Sequence, residues 1–208
     1  MTKQKFGTKF LSHPWLTATC CAEKIIPPKA CPRSRRTLVL GLVASTAEML
    51  EAELESNQKL SSMLDAHVPE GWPPGEYDTP AIEYFRDCLV KSPEATGWYG
   101  WYALLRSAED GPCILVGSGG FFGPPNNEGV IEIGYSVVPA YERRGFATEM
   151  VNALVRHAFS NDQVKRIIAH TTQDNVGSVK VLERTGFALV GQGHDPGTVE
   201  YGQVAPAI

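Results

Sequence analysis

The stretch Gly134-Tyr-Ser-Val-Val-Pro-Ala-Tyr-Glu-Arg-Arg-Gly-Phe-Ala-Thr148 restricts the fold more than any other part of the chain. An apolar strand runs to a proline, turns through a tyrosine and two arginines, and opens a helix at Gly145. The first turn of a helix leaves backbone N–H groups without partners and carries partial positive charge. Gly145 and the small Ala147 leave that backbone bare, and Arg143 and Arg144 add full charges beside it. Such a turn suits a phosphate, above all the pyrophosphate of a nucleotide-like cofactor. A glycine there can also do no more than start a tight turn.

The flanking pattern gives the architecture. Thr37 to Val43 is apolar enough for a strand, and Ser45-Thr-Ala-Glu48 has the form of a capping box, with Ser45 as the cap. Helical periodicity follows through Leu50, Leu54, Leu60 and Leu64, then a stiff loop over 68–75, then a helix opened by Pro80 with Ile82, Phe85, Cys88 and Leu89 on one face. Strands are expected over 97–105, 114–122 and 130–138, separated by turns at 109–111 and 123–129, as an antiparallel meander. The chain then alternates: a helix from Gly145, a strand over 166–171, a helix from Asn175 to the C-cap Gly186, a strand over 188–192, and a last strand over 198–204. This order predicts an α/β (α+β) fold with a mixed, mostly antiparallel twisted sheet and helices on both faces.

Charge is distributed unevenly. Of 19 Lys and Arg and 23 Asp and Glu, eight bases and one acid precede residue 37, so the rest of the chain is negative by about 11. A negative domain does not fit a nucleic-acid backbone but fits a cationic small molecule or an amine-bearing partner. Residues 1–35 are basic and interrupted by prolines. They are expected to be a poorly ordered arm, an extension from an upstream start, or an acid-poor organellar presequence, with one domain over 36–208. No apolar run reaches the roughly 20 residues that span a bilayer. The five cysteines are odd in number and lack metal-ligand spacing, so the expectation is free thiols in the cytoplasm and no metal. Gly117-Ser-Gly-Gly-Phe-Phe-Gly123 imitates a dinucleotide fingerprint, but a Pro-Pro turn and a strand follow it where such a fingerprint requires a helix.

Two motifs at their mutual spacing carry a family resemblance. Glu132-Ile-Gly-Tyr with Arg143-Arg-Gly-Phe-Ala-Thr-Glu149, followed by Asn175-Val-Gly-Ser-Val-Lys-Val-Leu-Glu-Arg-Thr-Gly-Phe187, resembles the GNAT superfamily of N-acetyltransferases, most closely the RimJ/RimL type. The resemblance implies a GNAT fold with splayed central parallel strands, and acetyl-CoA as co-substrate. It places the pyrophosphate on the backbone of Arg143, Arg144, Gly145, Phe146, Ala147 and Thr148. The pantetheine arm would lie on the edges of Val137 and Val138, with Asn175 touching it and Ser178 near the sulfur. The family's usual Gln or Arg three residues before Gly145 is Glu142 here, expected to face solvent with its N–H still usable. The tyrosine that many members carry in the second helix is replaced by Leu182.

The expected reaction is direct transfer of acetyl to a primary amine, either a protein N-terminal α-amine or a small molecule. The alternative is a non-catalytic acyl-CoA sensor or scaffold. An amine with a pKa of about 8 to 10.4 must lose a proton before attack. Strand alternation puts Glu132, Gly134 and Ser136 on one face and Ile131, Ile133, Tyr135 and Val137 on the other. Glu132 is therefore the candidate base, and otherwise an exposed strand carboxylate. The Val138 N–H is the candidate oxyanion donor. Ser178 is the candidate proton donor to the thiolate, with Tyr135 and Tyr201 behind it, or is a small residue that permits close packing. Trp72, Trp98, Tyr102 and Tyr135 are candidates for the acceptor pocket through cation–π contact; each could instead be core. Alternation groups Trp98 with Tyr102 and Tyr99 with Trp101. Relatives of this type pair through sheet edges or late helices, so a homodimer is open.

Overall fold

The computed structural model describes residues 25–26, 40–106 and 111–206. Its strands are β1 (Ile25–Ile26), β2 (Leu40–Ala44), β3 (Ala66–His67), β4 (Gly100–Leu105), β5 (Cys113–Phe121), β6 (Val130–Val137), β7 (Arg166–Thr172), β8 (Ala188–Gln192) and β9 (Thr198–Val204). The helices are α1 (Ala47–Glu55), α2 (Asn57–Leu64), α3 (Thr79–Lys91), α4 (Phe146–Phe159) and α5 (Val176–Arg184). The described strands form one sheet in the order β1-β2-β4-β5-β6-β7-β9-β8, with β3 beside β5. Pairing is antiparallel except for β6 with β7 and β3 with β5. The mixed, mostly antiparallel sheet is therefore as expected. Most of the basic arm lies outside the described residues, but Ile25–Ile26 within it pairs with Leu42 and Val43.

The two sheet faces bury different helices. Trp101, Val116, Phe121, Ile131, Ile133, Ile167 and Ala169 meet the apolar stripe of α4, which includes Met150, Val151, Leu154 and Ala158. Tyr102, Leu104 and Leu115 pack on the opposite face with Leu50 of α1, Leu60 of α2 and Phe85 and Leu89 of α3. Strand alternation alone produces this division, since neighbouring residues point to opposite faces. The glycines of the apparent fingerprint serve close approach. A Cβ at Gly117 would lie 2.6 Å from the Ser136 carbonyl oxygen, and one at Gly120 would lie 2.0 Å from the Tyr99 carbonyl oxygen.

Three expectations change. Ser45 is not the cap: it is buried and donates to the Gly100 carbonyl at 2.8 Å, while Thr46 caps α1 by accepting from Met49 N–H. The apolar series over 50–64 is two helices, because Ser56 ends α1 and caps α2 through Lys59 N–H. Trp98 and Tyr102 do not share a face. Trp98 packs near Phe121 and His157 on the α4 side, while Tyr99 joins Tyr102 with α3, because alternation begins only at Gly100. The turn over 109–110 lies outside the described residues.

A carboxylate sits inside the second cluster. Glu53 is 7% exposed. It accepts from Trp72 Nε1 at 2.7 Å, Tyr77 OH at 2.9 Å and Tyr102 OH at 2.6 Å. Burial pushes its carboxyl above the usual range, and the three donors oppose that rise. Burial and the neighbouring Glu53 charge hold Tyr77 well above its ordinary value, so its hydroxyl keeps the proton it donates. The bonds tie the 68–78 loop to α1 and to the sheet. Glu53→Ala strands three buried donors, and unfolding in urea is expected to show a loss of about 3 kcal/mol or more. The folded pKa of Glu53 lies above the unfolded one. Its ionisation therefore opposes folding as pH rises through that folded value, and the opposition is absent below the unfolded value. Glu53→Gln should remove this component from stability measured between pH 4 and 7.

Candidate active site

Pairing between β6 and β7 is short. Val130, Ile131 and Glu132 match Arg166, Ile167 and Ile168, and no pairing follows although both strands continue. The two parallel strands thus separate just past Glu132. On the other side β6 remains bonded to β5: Phe122 N–H donates to the Glu132 carbonyl and Val138 N–H donates to the Val116 carbonyl at 2.9 Å. An antiparallel ladder alternates the direction of its backbone groups. The even-numbered residues of β6 therefore bond toward β5, and Tyr135 and Val137 present N–H and C=O to the opening. Val138 is corrected on this point: its N–H is occupied, so it is neither a free edge for a pantetheine arm nor an oxyanion donor.

Beyond β6 the chain makes a short 3-10 turn over Pro139–Tyr141 and reaches α4 through two left-handed residues, Arg143 at φ 58° and Gly145 at φ 90°. Gly145 caps α4 with no side-chain hydrogen bond, and the first bond into the helix runs from Glu149 N–H to the Gly145 carbonyl at 3.0 Å. Among the described residues no hydrogen bond occupies the N–H groups of Arg143 through Thr148. Phe146 contributes backbone only, because its ring is in the core. The Arg144 guanidinium lies over the Tyr141 ring at 5.3 Å. Glu142 is exposed as expected, but its N–H donates to the Pro139 carbonyl at 3.3 Å and is not free.

Helix α5 closes the far side. Asn175 caps it by accepting from Ser178 N–H at 3.1 Å. At its other end Gly186 is left-handed, and Phe187 N–H reaches back to the Leu182 carbonyl at 3.0 Å, a Schellman closure. Leu182 is buried core. The Tyr135 hydroxyl meets Ser178 Oγ at 3.0 Å and donates to the Ser178 carbonyl at 3.2 Å, joining β6 to α5. Burial pushes the Tyr135 phenol up to about 12, so it stays protonated. Tyr135 is therefore on the α5 side and not in an acceptor pocket. Tyr201, the other fallback donor, is in the core under α4.

The opposite face of the opening holds the ionisable groups. Glu132 Oε1 lies 2.8 Å from His170 Nδ1. His170 Nε2 faces Glu200 Oε2 at 3.6 Å and His194 Nδ1 at 3.4 Å. The sequence reading missed His170, although its parity on β7 places it on the Glu132 face. It also missed Glu53, which lies three residues beyond Leu50 and so shares its side of α1. His194, in the turn before β9, has no periodicity by which to find it.

The aromatic candidates for an acceptor wall fall elsewhere. Tyr102 is 0% exposed and Trp72 is buried beside it, both bonded to Glu53; Trp98 is on the α4 side. On the Glu132 face Phe122 is 51% exposed, and its edge lies 3.2 Å from where a Gly134 Cβ would be. The 68–78 loop approaches the same face, since a Cβ on Gly75 would lie 2.6 Å from Ser136 Oγ.

The profile of the acetyltransferase (GNAT) domain family matches residues 42–188. YjdG of Bacillus subtilis (strain 168), described as an uncharacterized N-acetyltransferase, is 33% identical over 141 residues, covering 68% of this chain and 81% of that one. A crystal structure of a GNAT-family acetyltransferase from Bacillus anthracis superposes with a TM-score of 0.52 at 22% identity, covering 80% of this chain and 95% of the other. RimL, a ribosomal L7/L12 α-N-protein acetyltransferase solved with coenzyme A, gives 0.55 at 18% identity over 87% and 98%. At these identities the solved structures establish the fold. Gly145→Val forces a branched side chain into the left-handed conformation, and equilibrium unfolding should show a loss of about 1–2 kcal/mol.

Proposed function

The chain belongs to the GNAT acetyltransferase family, whose members are N-acetyltransferases, and from that premise we propose that it moves the acetyl group of acetyl-CoA to a primary amine held on the Glu132 face of the strand opening. One observation carries the proposal. A run of unpartnered N–H groups from Arg143 to Thr148 stands at the α4 N-terminus, beside a parallel strand pair that parts at Glu132.

The residues present fit the co-substrate. The Arg143–Thr148 backbone would hold its diphosphate, with the Arg143 and Arg144 charges alongside. The open edge of Tyr135 and Val137 would pair with pantetheine amides, and Asn175 and Ser178 would border the arm. Bound acetyl-CoA supplies the activated acyl group; the protein's part is to position it and move protons. Glu132 takes a proton from the ammonium, the freed nitrogen attacks the thioester carbon, and the C–S bond breaks as the nitrogen gives its second proton to water, leaving the amide and a thiolate. The Tyr135–Ser178 pair provides a hydroxyl proton to the leaving thiolate and regains one from water. Val137 N–H replaces Val138 N–H as the donor toward the oxyanion.

The acceptor is a protein α-amine, as the RimJ/RimL type implies, or a small cationic amine. Glu132 and Glu200 attract either, and Phe122 offers a ring face beside them. A cytoplasmic setting suits the reaction. Calorimetry should detect acetyl-CoA binding, and thiol release over a panel of N-terminal peptides and polyamines should identify the acceptor. Binding without release across that panel would favour the non-catalytic reading. Glu132→Gln should lower kcat by about 10²–10⁴ while acetyl-CoA affinity stays within about two-fold of the parent. An unchanged kcat at every pH removes Glu132 as the base.

A further inference from the structure

We infer that Glu132 is served by a two-histidine proton relay, His170 and then His194, which carries the amine proton from the strand opening to solvent. The inference rests on Glu132 being the base. It starts from a problem that base creates: a carboxylate beside a bound substrate must lose its proton before the next turnover.

The geometry supplies a route. His170 stands between elements, with Glu132 of β6 2.8 Å from Nδ1 and His194 Nδ1 3.4 Å from Nε2. The rings of His170 and His194 meet edge to face at 4.4 Å. The side chains of Glu132, His170 and His194 are 29%, 12% and 63% exposed, so the series ends at its most exposed member. The other charged groups are also set by the fold. Glu200 of β9 lies 3.6 Å from His170 Nε2, Arg166 of β7 pairs with Glu200 at 3.8 Å, and Asp195 lies 3.1 Å from His194 Nε2.

Both contacts work in either polarity, which a relay requires. Before transfer, protonated Glu132 donates to His170 Nδ1, and His170 Nε2–H donates to His194 Nδ1. The Glu132 proton moves to Nδ1, the Nε2 proton moves to His194, and His194 releases its Nε2 proton to water. Afterwards Glu132 is a carboxylate accepting from His170 Nδ1–H, and His194 Nδ1–H donates to His170 Nε2. One proton has left and no heavy atom has moved. The rings return to the starting tautomers by exchange with water between turnovers.

The test is thiol release at saturating acetyl-CoA in dilute buffer, with spermidine and an alanine-initiated peptide as acceptors. His194→Ala and His170→Asn should each lower kcat by about ten-fold or more, leave the acetyl-CoA KM unchanged, and enlarge the solvent deuterium isotope effect. Added imidazole should restore His194→Ala, because a mobile base can stand in for an exposed one. It should not restore Glu132→Gln. If both histidine variants keep the parent kcat without buffer dependence while Glu132→Gln is inactive, the relay is wrong and the base stands. If Glu132→Gln is fully active, or neither acceptor is turned over, the base reading fails and takes the relay with it. A His170→Asn protein that does not fold leaves the decision to His194→Ala, whose side chain makes no core contact. In ¹⁵N-histidine spectra of the free protein, His194→Ala should change the tautomer balance of His170, and an unchanged balance overturns the coupling.

Discussion

The separation of β6 from β7 after Glu132 is the constraint on which the rest of the site depends. Parallel strands normally continue to bond along their shared length, because an unpaired backbone group away from water is costly. Here the strands share only three paired positions before parting. The cause lies on both sides. Strand β6 is held to β5 through Gly117–Phe121 and follows its twist, whereas β7 is held to β9 along its whole length, Arg166 to Thr172. Each strand keeps its antiparallel partner, so the parallel pair opens. The backbone of Tyr135 and Val137 is then turned into a gap whose far wall is α5 and whose floor leads to the α4 N-terminus.

The two faces of that gap have opposite chemistry for the same reason of parity. Odd residues of β6 turn to the α4 and α5 side, where Tyr135 meets Ser178 in a half-buried, hydrogen-bonded pair. Even residues turn to the other side, where Glu132 meets His170. Tyr135 and Glu132 are thus three residues apart on one strand yet on opposite faces of it. A bulge that inserted one residue between them would put both on one side.

Farther from the opening, the buried Glu53 organises the helical layer. Its three donors come from α1's neighbours in space, Trp72 and Tyr77 of the loop and Tyr102 of β4. That polar knot makes core residues of rings that were candidates for an acceptor wall. Phe122, just past the end of β5, stays 51% exposed beside Glu132.

Local chemistry wrote much of this into the chain. Gly145 after Arg143 and Arg144 specifies a bare helix start, Asn175 and Gly186 specify the two ends of α5, and alternation in β6 sends Glu132 away from Ile131 and Ile133; each depends on near neighbours and on backbone sterics alone. Periodicity could not tell that Ser56 breaks the 47–64 helix, because the apolar positions stay in phase across it. Nor could it tell that alternation starts only at Gly100, or that Val138 donates to Val116. Those depend on which strand lies beside which, as do the meeting of Glu132 with His170 and of Glu53 with three aromatic donors. Residues distant in the chain become partners only when strand pairing sets the register, and that register is a property of the folded sheet.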